Sequence, residues 1–486
     1  MVKNVTSAAV PDSFSPPDVF SLPAEFRFGV ATAGFQVEGG YNGPGEPANN
    51  WGGWERSGRV EPSGIALDFW NDYEHHLDRA VAAGCDAYRL SVEWARCEPA
   101  PGEIDTAALD GYLRILEACH ARGLRPLVTL HHFTHPHWLG EEFWQAKDAP
   151  ERYAGWVGTA VDALAPLCRH WVTINEINVL AVQSWYFGVF PPGRVLDARG
   201  LVRALDHLLT AHVLGYDRIK VAQPDAVVST NPYPFSAYST ERLLTDVLSA
   251  RAHGVDRDGL RGWLAEREAG FHRTLPAHGP RERLIRRWAG STVALDAGLP
   301  RAVAAVYASP HDRTFDEVQL DWYDPRVDHK FRVPGHRTAG GRSWLPGRML
   351  WDDPIDPAAL TEYLRVYDEP GLDLVIPENG LCNRVKRGVS YPRADGWDRV
   401  RYLRANLGSM VAGIEAGIPI RGYYHWCLAD NYEWGSYEPR FGLYGIDRER
   451  GVRWSETDSM GGPAAETFRT LADQLRAGDT SGMIRP

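Results

Sequence analysis

The sequence predicts an α/β protein, a single-domain (β/α)8 barrel with long loops after its strands. Eight short segments suited to strands alternate with segments whose apolar residues recur at helical spacing. One of the eight, Leu374-Val375-Ile376-Pro377-Glu378-Asn379-Gly380, is a continuous apolar run ending in a carboxylate and a turn, the pattern of a strand buried on both faces of a parallel sheet. Other strand ends also carry polar or aromatic groups, and α/β barrels place their chemistry at that rim. A doubly wound sheet is the alternative reading of the same alternation.

Taken in order, strands are expected at 26–33, 85–92, 125–132, 171–175, 226–231, 318–323, 373–378 and 420–426. A Gly/Pro/Asn-rich loop, 39–53, follows the first. Helices are expected at 66–83, 106–122, 151–168, 201–223, 357–367 and 399–416, the second of them stopping at Gly123. Segment 235–317, rich in Arg, His and Gly, carries no convincing strand and reads as a helical insertion between strands five and six. Residues 1–23 read as a loose leader, 24–475 as the barrel and 476–486 as a tail, with no Gly/Pro-rich linker dividing two domains.

Composition narrows the function classes. A formal charge of −11 over 486 residues disfavours nucleic acid or an anionic membrane as partner. No apolar run reaches 18 residues, and Ser/Pro-rich 1–23 lacks the apolar centre of a secretory signal. The six cysteines, Cys85, Cys97, Cys119, Cys168, Cys382 and Cys427, form no Cys-x-x-Cys pair; they read as buried free thiols of a reducing, cytoplasmic compartment. With 18 Trp and 20 Tyr, the chain is rich in flat amphipathic rings that suit a pocket for sugars or aryl groups as well as a core.

At the end of strand seven, Glu378 is by itself as compatible with a solvated strand end as with a catalytic group. The other strand ends shift that balance. Strand four, Trp171-Val172-Thr173-Ile174-Asn175-Glu176, likewise ends in an amide and a carboxylate. Strand two carries Arg89, three ends in His131-His132, six in Asp321-Trp322-Tyr323 and eight in His425-Trp426. Two glutamates on one rim are what glycoside hydrolysis requires, one to protonate the departing oxygen and one to attack the anomeric carbon or activate water. Carboxyl groups about 5–5.5 Å apart mean retention of configuration, and roughly 6.5–9.5 Å inversion.

These residues also resemble glycoside hydrolase family 1, the β-glucosidase/β-galactosidase family, from Phe26 to about Asp447. The matching pieces are Phe28 to Gly39, Tyr88 to Arg96, Thr129 to Phe133, Thr173-Ile174-Asn175-Glu176, Glu378-Asn379-Gly380, Trp426 with Asp430 to Trp434, and Arg440-Phe441-Gly442-Leu443. The resemblance implies that Glu378 is the nucleophile and Glu176 the acid/base, with Arg89 and Tyr323 holding the Glu378 carboxylate. It implies that Gln36, His132, Asn175 and Glu433 grip sugar hydroxyls, Asn175 at the 2-OH. By the same resemblance Trp426 is the floor under the ring, Trp434 joins Glu433 at the distal hydroxyls, Phe441 closes that end and Trp351 flanks the aglycone. Glu433, where 6-phosphoglycoside-cleaving members carry Ser, points to an unphosphorylated sugar, and Glu176 argues against the thioglucosidase branch, which has Gln there.

The function so implied is a retaining exo-β-glycosidase for a small β-glycoside, β-glucosidase-like, without metal or other cofactor; homo-oligomerisation stays open. A transglycosylase uses the same residues, and a non-catalytic sugar-binding relative is the remote alternative. Three positions depart from the family pattern. Asn-Glu-Pro reads Asn175-Glu176-Ile177, which is expected to loosen the turn; Asn-Tyr-Tyr reads Asp321-Trp322-Tyr323; Tyr-His-Trp reads His131-His132-Phe133. Asp321 thus stands where an amide near the 2-OH is expected, and the three changes together raise a glycone modified at its 2- or 3-position.

Overall fold

The computed structural model describes residues 20–292, 299–330, 349–449 and 451–486. Eight strands, Arg27–Ala31, Ala87–Ser91, Arg125–Thr129, His170–Asn175, Val227–Asn231, Val318–Gln319, Leu374–Asn379 and Ile420–Trp426, pair in the order five-four-three-two-one-eight-seven-six. Every pairing is parallel. The ends of that series meet. Asp316 N–H donates to Val228 O at 2.8 Å, Ser229 Oγ to Glu317 O at 2.7 Å and Asp321 N–H to Pro232 O at 3.2 Å. Closure of this kind excludes the doubly wound sheet and gives the (β/α)8 barrel.

Several strands are shorter than the sequence pattern predicts, the third and sixth for visible reasons. The sixth regular strand ends at Gln319 because the backbone beyond it alternates partners: Leu320 N–H donates to Val375 O, Asp321 to Pro232 O and Trp322 to Glu378 O. The third ends at Thr129, and Phe133 then takes a left-handed φ of 66°, which no strand continues through.

Helices at Phe69–Ala82, Thr106–Ala121, Ala149–Leu164, Ala198–Ala222, Pro357–Tyr367 and Arg399–Glu415 cover the barrel. Asp105, Asp197 and Asp398 cap three of them by accepting backbone N–H bonds. Between strands five and six lie Arg242–Ser249, Leu260–Thr274, Pro280–Thr292 and Pro300–Ala308. Helix Ile177–Trp185 was not foreseen; nearly every residue is buried, so no polar face marks it in sequence. The C-terminal residues pack onto the barrel, Ile484 N–H donating to Arg404 O and Arg485 pairing with Glu415. Of the expected leader, residues 1–19 lie outside the described residues. None of the described helices is long and apolar enough to cross a membrane.

Side chains alternate along each strand. Ala31, Ala87, Leu127, Val172, Val375 and Tyr424 form a small inner cluster with Trp426 and Phe441 above it. Phe28, Val30, Tyr88, Leu90, Ile376 and Tyr423 belong to the larger layer beneath the helices. Low in the barrel the buried side chains of Arg27 and Glu317 form an ion pair. Truncating one partner strands a buried charge, so Glu317→Ala is expected to lower unfolding free energy by about 3–5 kcal/mol. Denaturant titration checks this, as a lower midpoint at unchanged slope.

Candidate active site

Arg89 is fully buried in strand two, and its guanidinium forks between three strand ends. Nη1 donates to Glu378 Oε1 at 2.5 Å, Nη2 to Asn175 Oδ1 at 2.5 Å and Nε to Thr129 Oγ1 at 3.1 Å. Tyr323 OH donates to the other Glu378 oxygen at 3.1 Å. Both oxygens of Glu378 are therefore held, one by a permanent charge. Just beyond, Gly380 passes so close to Trp426 O that a Cβ there would sit 2.3 Å from it. Glycine is required at that step by space alone.

Glu176 leaves strand four with φ 38°, in the left-handed region, its N–H donating to Asn231 O at 3.0 Å. Ile177 is the first residue of the following helix, a position whose N–H has no intrahelical acceptor in any case. The missing proline therefore leaves Glu176 at a helix start rather than on a loosened turn. Asn231 Nδ2 donates to Asn175 Oδ1 at 2.7 Å and also to Asp321 Oδ2, tying strands four, five and six together. Asn175 Nδ2 donates to His132 Nε2 at 3.2 Å, which fixes His132 as an acceptor there.

One carboxyl oxygen each of Glu176, Asp321 and Glu378 lies within 4.8 Å of the others, and all three groups are buried. Such oxygens are donors that a hard divalent cation accepts. Here, however, the Arg89 charge already sits against Glu378, and a second cation would be repelled by it. Burial, followed by the Glu378 charge, pushes the Glu176 carboxyl well above the usual range, and the same two causes act on Asp321. Burial also raises Glu378, but the charge and hydrogen bond of Arg89 and the hydroxyl of Tyr323 pull it back. Of the three, Glu378 ionises first.

The mouth of the barrel holds a cavity of about 440 Å³ lined by His132, Glu176, Tyr323, Glu378, Trp426, Glu433, Trp434 and Phe441, among others. His132 lies between the two indoles, its ring centroid 5.8 Å from Trp426 and 5.7 Å from Trp434, nearly parallel to both. Gln36 Nε2 donates to Glu433 Oε2 at 3.1 Å. Burial raises the Glu433 carboxyl to about 8, against the pull of hydrogen bonds from Trp426 and Gln36. The wall opposite is more apolar, with Val179, Phe187, Tyr233, Phe235, Leu350 and Ile355.

Five expected site residues stand off this wall. Gln36, Arg89, Asn175 and Asp321 are fully buried. Asp321 accepts from Asn231 and has an oxygen within 4.8 Å of one each of Glu176 and Glu378. Trp351 is partly buried against the inner cluster, its ring 4.7 Å from the Arg384 guanidinium, and its neighbour Leu350 faces the cavity. Two amides escaped the sequence reading. Asn231 is the polar end of an apolar strand and could have been suspected from that. Asn379, beside Glu378, donates to Trp322 O and Tyr402 OH and accepts from Tyr423 OH, tying the sixth and eighth strands to the seventh.

A model of glycosyl hydrolase family 1 matches residues 19–261 and 334–459. The chain is 28% identical over 449 residues to a β-glucosidase of Agrobacterium sp. (strain ATCC 21400), covering 89% of this chain and 92% of that one. It is 29% identical over 461 residues to a bifunctional β-D-glucosidase/β-D-fucosidase of Bifidobacterium breve, and 26% over 462 residues to a 6-phospho-β-galactosidase of Lacticaseibacillus rhamnosus. Each of those alignments covers 88% of this chain and 94% of the relative. The fold is similar to that of a family 1 β-glucosidase from Thermotoga maritima, with a TM-score of 0.69 at 21% identity over 94% of this chain and 99% of that one. The chain belongs to glycosyl hydrolase family 1 and is by that membership a β-glycosidase.

Glu433 gives a test of the site that needs no substrate. An unfolded glutamate releases its proton near 4.5, whereas the folded protein keeps this one to about 8. The folded state binds more protons between those values, so this group makes stability fall as pH rises through that window and leaves it level above. Glu433→Gln is therefore expected to flatten the decline between about pH 4.5 and 8, read as denaturation midpoint against pH for both proteins.

Proposed function

We propose that the protein is a retaining exo-β-glycosidase acting on unphosphorylated β-glycosides, most similar in specificity to a β-glucosidase. The observation that carries this reading is the unequal environment of two facing glutamates. Glu378 is gripped by Arg89 and Tyr323, while Glu176 has no ion pair among the described residues and feels its neighbour's charge. One is thereby prepared as a carboxylate and the other as an acid.

In the first step a Glu378 oxygen attacks the anomeric carbon, the bond to the aglycone oxygen breaks and the Glu176 proton passes to that oxygen. Esterification then removes the negative charge that raised Glu176. The resulting Glu176 carboxylate takes a proton from water, the water oxygen bonds to the anomeric carbon and Glu378 departs as carboxylate. The approach of the carboxyl oxygens to within 4.8 Å supports retention, because inversion needs about 6.5–9.5 Å to seat a water between the groups.

Support for an unphosphorylated sugar has a different physical basis from the one expected. With its carboxyl raised to about 8, Glu433 repels an anion less at neutral pH than an ordinary glutamate would. The cavity's cations among the described residues are matched instead: Lys330 lies 3.7 Å from both Asp324 and Asp353, and Arg393 pairs with Asp395 at 2.5 Å. No unmatched cation in the described wall awaits a phosphate dianion.

Glu378→Ala is expected to abolish turnover of nitrophenyl β-glycosides, with azide restoring it and yielding an α-glycosyl azide. Glu176→Ala is expected to lose about 10²–10⁴-fold on substrates with poor leaving groups and far less on dinitrophenyl glycosides. Wild-type turnover of Glu378→Ala would sink the mechanism. Rates on nitrophenyl glucoside, galactoside, fucoside, 2-deoxyglucoside and 6-phosphogalactoside decide the glycone.

A further inference from the structure

We propose that Asp321 shares one proton with Glu176 and so governs how firmly the acid/base holds it, a role through Glu176 rather than through substrate. This rests on the glycosidase reading above. Asp321 is fully buried and is not among the side chains that line the cavity. One oxygen of its carboxyl lies within 4.8 Å of one oxygen of Glu176. Asn231 donates an N–H to Oδ2, and Oδ1 has no hydrogen-bond partner among the described residues. Two carboxyl groups this near each other can bond only if one keeps a proton.

Among the described residues, the groups facing Asp321 include one cation, and its hydrogen bonds go elsewhere. They are Glu176 from the end of strand four, Glu378 from strand seven, Arg89 from strand two, Asn231 from strand five and the neighbouring Tyr323. Arg89 gives its three donor contacts to Glu378, Asn175 and Thr129, and none to Asp321. Asn231 and Tyr323 are neutral. A shared proton satisfies Oδ1 and makes the pair a single negative charge.

That arrangement keeps the site's charge constant through the first step. Before it, Glu378 carries one negative charge and the Glu176–Asp321 pair another. As the glycosidic C–O bond breaks, the pair's proton goes to the leaving oxygen and the ester formed on Glu378 is neutral. The pair then carries both charges, and two adjacent carboxylates form a strong base for the proton of the incoming water.

The test uses Asp321→Asn in the full-length protein, an isosteric change that keeps an acceptor for Asn231 but cannot take a shared charge. With a nitrophenyl β-glycoside, the basic limb of kcat/KM is expected to move to lower pH by about one unit. A purely structural role would lower kcat and leave the limb in place. Infrared titration of buried carboxylic acid bands gives a readout without turnover. Loss of the acid band is expected at lower pH in Asp321→Asn and, reciprocally, for Asp321 in Glu176→Gln, so either variant suffices if the other fails to fold. Turnover with the limb and the infrared titration unmoved overturns the shared proton and leaves the glycosidase reading intact. A moved titration in a protein that cleaves no β-glycoside overturns the glycosidase reading and leaves the pair standing.

Discussion

The guanidinium of Arg89 is the interaction on which the rest of the site depends. It is a permanent charge with no solvent exposure, and a lone buried cation of this kind is tolerated only when its donors are met. Its planar fork reaches Glu378, Asn175 and Thr129 at the ends of strands seven, four and three. A point charge on a flexible stem, as in lysine, would not fix three strand ends at once. Through Asn175 the constraint passes to His132 and to Asn231, and through Asn231 to Asp321.

Charge then sorts the carboxyl groups. Burial raises all of them, so differences arise from what each one touches. Glu378 has the cation and a phenol; Glu176 and Asp321 have each other and a negative neighbour; Glu433 has an amide and an indole. One arginine among four acids thus sets Glu378 apart from Glu176, Asp321 and Glu433, which burial and the Glu378 charge push upward. The cavity's chemistry is therefore set by residues behind its wall as much as by those on it, and Arg89, Asn175, Asn231 and Asp321 are all of that kind.

Backbone geometry contributes in the same region. Phe133, Glu176 and Trp434 each adopt a positive φ without being glycine. Conformations of this sort cost of order 1–3 kcal/mol and persist where packing overdetermines them. Here, T-shaped packing of Phe133 on Trp434, the Asn231 carbonyl bonded to Glu176 N–H and the closely packed ring series His132, Trp426 and Trp434 supply that constraint.

Most of the barrel was legible in the sequence because parallel strands buried on both faces are written as apolar runs, and their ends as abrupt polar residues. Glu176, Glu378, Arg89 and Tyr323 could be singled out because a charge or hydroxyl ending such a run is conspicuous. Helix Ile177–Trp185 was invisible for the opposite reason: burial on every side erases the polar face that periodicity detects. The partners of Asp321 could not be read from sequence, since strand six leaves its regular pairing at Gln319 and turns the following residues between its two neighbours. The sequence by itself determined which chemical groups stand at the strand ends, because alternation along a strand is local. Only the tertiary structure decided which of those groups touch, and hence which carboxyl is ionised, because hydrogen bonds and charges act across strands that lie far apart in the chain.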